Sequence, residues 1–132
     1  MNFFVEKIVT GPFQENCYLA WENKTNQAIL IDPGDDFYLI DNKINEKELN
    51  PIAIINTHAH LDHIGAVSEL KKLYKIPFYL HEKELKILDS YEVSCELFGL
   101  IPKNKPSVTK WIKNENNMII GNFNIGIIHT PG

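Results

Sequence analysis

His58, His60, Asp62 and His63 are the densest group of chemically capable side chains in this 132-residue chain, with three of its five histidines inside six residues. They lie in the stretch Ile55-Asn56-Thr57-His58-Ala59-His60-Leu61-Asp62-His63-Ile64-Gly65-Ala66. His58, His60 and Asp62 are spaced by two, so an extended backbone would project all three to one side. His63 breaks that alternation and opens a predicted helix, approaching the same region from another direction. Imidazole nitrogens and carboxylate oxygens are the donors that borderline divalent metals such as zinc prefer. So short a loop closes four donors on one tetrahedral ion only with strain, and two adjacent ions sharing the loop is the easier geometry. A solvated histidine-rich turn is the alternative. Against it stands Pro51-Ile52-Ala53-Ile54-Ile55, a nearly all-apolar run that reads as a buried strand. Ionisable groups carried directly off a buried strand are costly unless something ligates or pairs them.

The elements that must position this loop follow from the rest of the pattern. Residues 3–9 and 16–22 read as strands separated by a Gly-Pro turn, and 28–31 as a buried strand stopped by Asp32-Pro33-Gly34. Residues 35–50 read as a helix capped by Asp35 or Asp36, with Leu39, Ile40, Ile44 and Leu49 on its apolar face. After the loop, Ile64, Val67, Leu70, Leu73 and Tyr74 recur at three and four, predicting a second helix. Its positive amino-terminal end would favour an ionised Asp62, and Gly65 would let backbone approach closely. Residues 77–80 are the next strand, with His81 read as an exposed histidine at its end. Residues 82–97 read as a third helix with Leu85, Leu88 and Cys95 on one side and Gly99 as its C-cap. A loop over 101–109 and strands at 110–112, 118–120 and 123–128 complete the pattern. No repeat, linker or domain boundary interrupts it.

Composition narrows the class. The chain is 44% hydrophobic, ordinary for a soluble globular protein, and long enough for one domain with a real core. A net charge of −4, with every basic residue a lysine, gives neither a nucleic-acid footprint nor a polybasic membrane signal. The amino terminus lacks a secretory pattern and no run reaches membrane-spanning length, so a cytoplasmic location is expected. Cys17 and Cys95 are expected as separate buried thiols rather than a disulfide.

Thr57-His58-Ala59-His60-Leu61-Asp62-His63-Ile64-Gly65 resembles the T-H-x-H-x-D-H-x-G signature of the metallo-β-lactamase fold hydrolases. The neighbourhood is most similar to the glyoxalase II-like (hydroxyacylglutathione hydrolase-like) branch. Gly11-Pro12-Phe13-Gln14-Glu15-Asn16-Cys17-Tyr18, Ile31-Asp32-Pro33-Gly34 and His129-Thr130-Pro131-Gly132 match further family segments in order. The resemblance implies an α/β fold, the αββα sandwich, here its amino-terminal half plus the first strands of the second half. Residues 1–132 would be the amino-terminal portion of a single hydrolase domain, with further metal ligands beyond Gly132. His129 matches a non-ligand position.

By the same resemblance, His58 and His60 would hold one divalent ion and Asp62 and His63 the other, zinc first, with iron or manganese as alternatives. Two such ions lower the pKa of a shared water and supply hydroxide, and they polarise a substrate carbonyl. Asp62 would also act catalytically, orienting or deprotonating the water where only one ion is bound. Asp32 would support the metal loop from beneath, although Asp-Pro-Gly alone reads equally as a turn. The implied substrate is a small-molecule thioester of the acylglutathione type, with no nucleic acid or membrane partner. A persulfide dioxygenase using iron, a phosphodiesterase on the same scaffold and a non-catalytic metal-binding module are the other readings; a true β-lactamase would need export. The chain alone is expected to lack a complete active site. It is also expected to leave residues 52–55 and 123–128 without their usual cover, which would favour self-association.

Overall fold

The computed structural model of the protein describes residues 1–128, so His129-Thr130-Pro131-Gly132 lies outside the described residues. Strands β1 (Phe3–Thr10), β2 (Glu15–Glu22), β3 (Gln27–Ile31), β4 (Asn50–Ile55), β5 (Phe78–His81) and β6 (Lys110–Ile112) form one six-stranded sheet in chain order. The first two pairings are antiparallel and the last three parallel. The change at β3 follows from connection length. Short turns can only reverse the chain, whereas a parallel return needs a crossover, usually helical.

Those crossovers carry the helices. Helix α1 (Phe37–Glu46) joins β3 to β4; α2 (Leu61–Ile64) and α3 (Val67–Tyr74) join β4 to β5. A 3₁₀ turn (Glu82–Glu84), α4 (Leu85–Asp89) and α5 (Tyr91–Leu97) lead toward β6. Strands β7 (Asn117–Ile120) and β8 (Phe123–Gly126) form a separate antiparallel hairpin.

Alternation along the central strands sorts their side chains between two cores. Leu30, Ile54, Phe78 and Leu80 pack with Ile40, Ile44, Val67 and Leu70 of the helices. Ile29, Ala53 and Ile112 pack with Met118, Ile120 and Phe123 of the hairpin. Burial on both faces is why β3 and β4 read as continuous apolar runs. The order is therefore helices, sheet, then two strands of a second sheet, the α/β layering expected. Both cysteines are buried and free. Among the described residues no helix is long and apolar enough to cross a membrane.

Several expected details differ. The helix predicted over 35–50 ends at Glu46, and Asn50 already belongs to β4. Asp36 holds the N-cap position in a left-handed conformation without a side-chain cap; its Oδ2 accepts the Gly11 amide at 2.9 Å instead. The second helix breaks between Ile64 and Val67, where the backbone presses against the Asp-Pro-Gly turn. The third splits at Ser90, whose hydroxyl and amide both donate to the Lys86 carbonyl, at 2.9 and 3.2 Å. His81 is not a bare strand end: its Nδ1 accepts the Lys83 amide and its Nε2 lies 3.0 Å from the Lys113 carbonyl. Residues 52–55 have more cover than expected, because the β7–β8 hairpin closes over Ala53 and its neighbours. Within 123–128, Phe123 is buried and Ile125 and Ile127 pack against the same core, whereas Ile128 is exposed; other large exposed apolar side chains include Phe3 and Val5 on the sheet edge and Ile119.

Candidate metal centre

The parallel strands end together. Ile31 of β3 pairs with Ile55 of β4, and Ile55 with Tyr79 of β5. Asp32 and Asn56 therefore leave adjacent strands side by side at their carboxyl ends, where open α/β sheets place their ligand sites. The two exits are tied to each other. The Thr57 amide donates to Asp32 Oδ1 at 2.7 Å, and the Thr57 hydroxyl bonds Asp32 Oδ2.

Asn56 braces the loop from beneath. It is buried, and its Nδ2 donates to the carbonyls of His58 at 3.1 Å and His63 at 2.6 Å. Glu84, from the 3₁₀ turn after β5, accepts the Ala59 amide at 3.0 Å. Side chains of Asp32, Asn56 and Glu84 thus satisfy the Thr57 and Ala59 amides and the His58 and His63 carbonyls.

The rings converge. His58 and His63 have centroids 5.0 Å apart, and His58 and His60 5.7 Å. Among the described residues one group could hold a metal ion by position: Asp32, His58 and His63, one ligand atom from each lying within 4.8 Å of the others. Asp62 Oδ2 sits 3.7 Å from His63 Nε2, at the edge of that group. The structure therefore brings His58 and His63 together with Asp62 beside them. His60 adjoins through His58 but is not part of the compact group. Two nitrogens with nearby carboxylates suit a borderline divalent ion.

Two groups here had no role assigned from sequence. Glu15, on β2, is buried and reaches toward His63: its Oε1 lies 3.3 Å from His63 Nδ1, and Asp32 Oδ2 lies 3.2 Å from the same atom. Despite these distances, Glu15 Oε1 and His63 Nδ1 are not aligned as hydrogen-bonded atoms. The signal was present, because Glu15 shares the inward register of β2 with Cys17 and Leu19. Asn56 was the other, a polar residue directly continuing a buried strand. Burial opposes charge on His63, but contacts with Asp32 and Glu15 and the charges of Asp32 and Asp62 outweigh it and push its pKa up to about 10. Burial raises the Glu15 carboxyl above its ordinary value, with His63 working against the rise.

Beside Asp62 opens a cleft of about 100 Å³. Phe13, Leu61, Tyr91, Leu100 and Ile101 give it apolar walls. Its charged groups include Lys103 and Asp35, paired with each other at 2.6 Å.

Comparison with known proteins agrees with this geometry. The chain is 37% identical over 128 residues to a probable metallo-hydrolase, YqgX, of Bacillus subtilis, covering 96% of the chain and 59% of that protein. It is 33% identical over 130 residues to the hydroxyacylglutathione hydrolase GloC of Haemophilus influenzae, covering 97% and 61%. The crystal structure of the B3 metallo-beta-lactamase BLEG-1 superposes with a TM-score of 0.88 at 35% identity, covering 98% of this chain and 62% of that one. The chain thus spans about 60% of the length of the proteins it matches. A family model described as the metallo-beta-lactamase superfamily matches residues 10–132. With that match over nearly its whole length, and with the histidine loop at the carboxyl ends of its parallel strands, the chain belongs to the metallo-beta-lactamase superfamily.

Proposed function

We propose that the protein is a metal-dependent hydrolase of thioesters, with acylglutathione-type compounds as the leading substrate class. The observation that carries the reading is the convergence of His58, His63 and a carboxylate at the ends of β3 and β4, with Asp62 between that group and a mostly apolar cleft. Similarity to a hydroxyacylglutathione hydrolase supports the substrate class.

His58, His60, Asp62 and His63 would hold two divalent ions, zinc first and iron or manganese as alternatives. The ions, when bound, supply an activated water and a Lewis acid for the substrate carbonyl. Asp62 would orient the attacking water and, with a single ion bound, would take up its proton. The cleft receives the acyl portion: its apolar walls exclude water and hold the carbonyl beside Asp62. Asn56 and Thr57 keep the loop fixed, so that the histidines need not reorganise when substrate enters.

The test is hydrolysis of a panel of acylglutathione and other acyl thioesters by the chain carried at the full length of its relatives. Thioester turnover that is lost on chelation and restored by zinc supports the reading. Retained metal with no turnover on any thioester would contradict it. Similarity to a B3 metallo-beta-lactamase makes β-lactam hydrolysis the second reading, scored in the same panel.

A further inference from the structure

The resemblance already implies that Asp32 supports the loop; we infer that this support is divided, Asp32 reaching His58 through the Thr57 hydroxyl and a second carboxylate, Glu15, holding His63 directly. The inference rests on reading both histidines as metal ligands, and it is independent of the substrate.

The argument follows the protons. Thr57 has one hydroxyl proton. Its Oγ1 bonds Asp32 Oδ2 and also lies 2.8 Å from His58 Nδ1. A carboxylate oxygen only accepts, so the hydroxyl proton points at Asp32, and Oγ1 is left to accept from His58 Nδ1–H. That relay fixes the tautomer of His58 with Nε2 bare. Asp32 Oδ1 meanwhile takes the Thr57 amide at 2.7 Å. Both oxygens of Asp32 are thus engaged by Thr57. Asp32 is therefore a support for the loop as well as a member of the compact group with His58 and His63.

His63 has two carboxylates within reach of Nδ1, Asp32 Oδ2 at 3.2 Å and Glu15 Oε1 at 3.3 Å. The first already accepts from Thr57. Glu15 Oε2 accepts from the Thr10 hydroxyl at 3.2 Å, but Glu15 Oε1 is buried with no hydrogen-bond partner among the described residues, and so is His63 Nδ1. An unmatched buried acceptor and an unmatched buried donor at this separation satisfy each other after a small rotation, and burial makes leaving them apart unfavourable. His63 Nε2 then faces outward, on the side of Asp62. Carboxylates behind ligating histidines fix ring orientation and raise ligand basicity. Separate carboxylates allow the two rings to be set independently.

The test uses the chain at the full length of its relatives, loaded with zinc, with two variants: Glu15→Gln, which keeps the shape but not the charge, and Thr57→Val, which removes the hydroxyl. Ring nitrogen–proton correlation spectra report each tautomer, and chelator competition reports zinc affinity. In the wild type both His58 and His63 are expected to carry the proton on Nδ1. Each variant should weaken zinc binding by about 10- to 100-fold. Thr57→Val should shift the ring signals of His58 and leave those of His63, and Glu15→Gln should do the reverse. Affinities within about twofold of wild type in both variants, or signals that move at the other histidine, would overturn the assignment. Should a variant fail to fold, the wild-type spectrum still decides: a proton on Nε2 of either ring contradicts the relay. A wild type that takes up no zinc removes the metal reading and this inference with it, whereas absence of thioester hydrolysis alone touches neither.

Discussion

Gly34 lies directly beneath Asp62, so close that a Cβ on Gly34 would stand 1.8 Å from the Asp62 carbonyl oxygen. The same Cβ would come within 2.5 Å of Glu15 Oε2, and one on Gly65 within 2.1 Å of the Gly34 carbonyl. The Asp-Pro-Gly turn and the histidine loop are thus nested backbone to backbone, which only glycine permits. Gly34→Ala should displace the loop, costing about 1–3 kcal/mol of stability and weakening metal uptake together. Denaturant unfolding and metal analysis on the same preparation check this. An unchanged midpoint with full metal content would show that the nesting is dispensable.

The end of α1 offers a test in the opposite direction. The Leu49 amide returns to the Ile44 carbonyl and the Glu48 amide to the Asn45 carbonyl, with Glu48 at φ +53°. Helix α5 closes the same way through Gly99, at φ +68°. This ending favours glycine at the left-handed residue. Glu48→Gly should therefore stabilise the protein by about 0.5–1 kcal/mol. Gly99→Ala should destabilise it by about 1 kcal/mol, with no steric component from the described residues, none of which lies within 4 Å of the added Cβ. Equal and unaltered midpoints in both variants would contradict the account of these two helix ends.

Glu22 gives a pH prediction. Its carboxylate accepts from the Lys24 and Thr25 amides, the Thr25 hydroxyl and Asn122 of the β7–β8 turn. Desolvation opposes the charge, but these donors outweigh it and hold the pKa down to about 2, from 4.5. A carboxylate whose folded pKa is depressed contributes stability that is complete above its unfolded pKa and is lost as pH falls through the folded one. The contribution of Glu22 should therefore disappear between about pH 4.5 and pH 2. In Glu22→Gln the stability profile should be flatter across that window. A variant whose acid profile parallels the wild type would contradict this.

Asp62 separates chemistry from folding. It is half-buried at the start of α2, and its side chain meets His63 Nε2 rather than the core. Asp62→Asn preserves volume and removes the charge. Turnover should fall by at least about 100-fold, the ordinary contribution of a positioned acid–base group, with the unfolding midpoint shifted little. Equal turnover in variant and wild type would rule the role out.

How much of this was legible in the sequence depends on what each signal rested on. The strands from β1 to β4 and the placement of His58 to His63 at a strand end were readable, because apolar runs and histidine spacing are local. The membership of Asp32 in the site was readable only through family resemblance, since Asp-Pro-Gly also makes an ordinary turn. The break between α2 and α3 was not readable: it is imposed by the Gly34 carbonyl pressing on Gly65, a contact between segments far apart in the chain. The split at Ser90 has no local marker, since neither glycine nor proline stands there. Glu15 was partly readable, since an acid on the inward row of a strand needs a partner. That the partner is His63 depends on how β2 lies against the loop.

The most direct test of the account is metal content. The chain at the full length of its relatives, purified without added metal, should carry close to two ions of zinc, iron or manganese per molecule. The His58→Ala, His60→Ala double variant should lose at least one of them while keeping its fold. The same metal content in both preparations would contradict the placement of the centre in this loop.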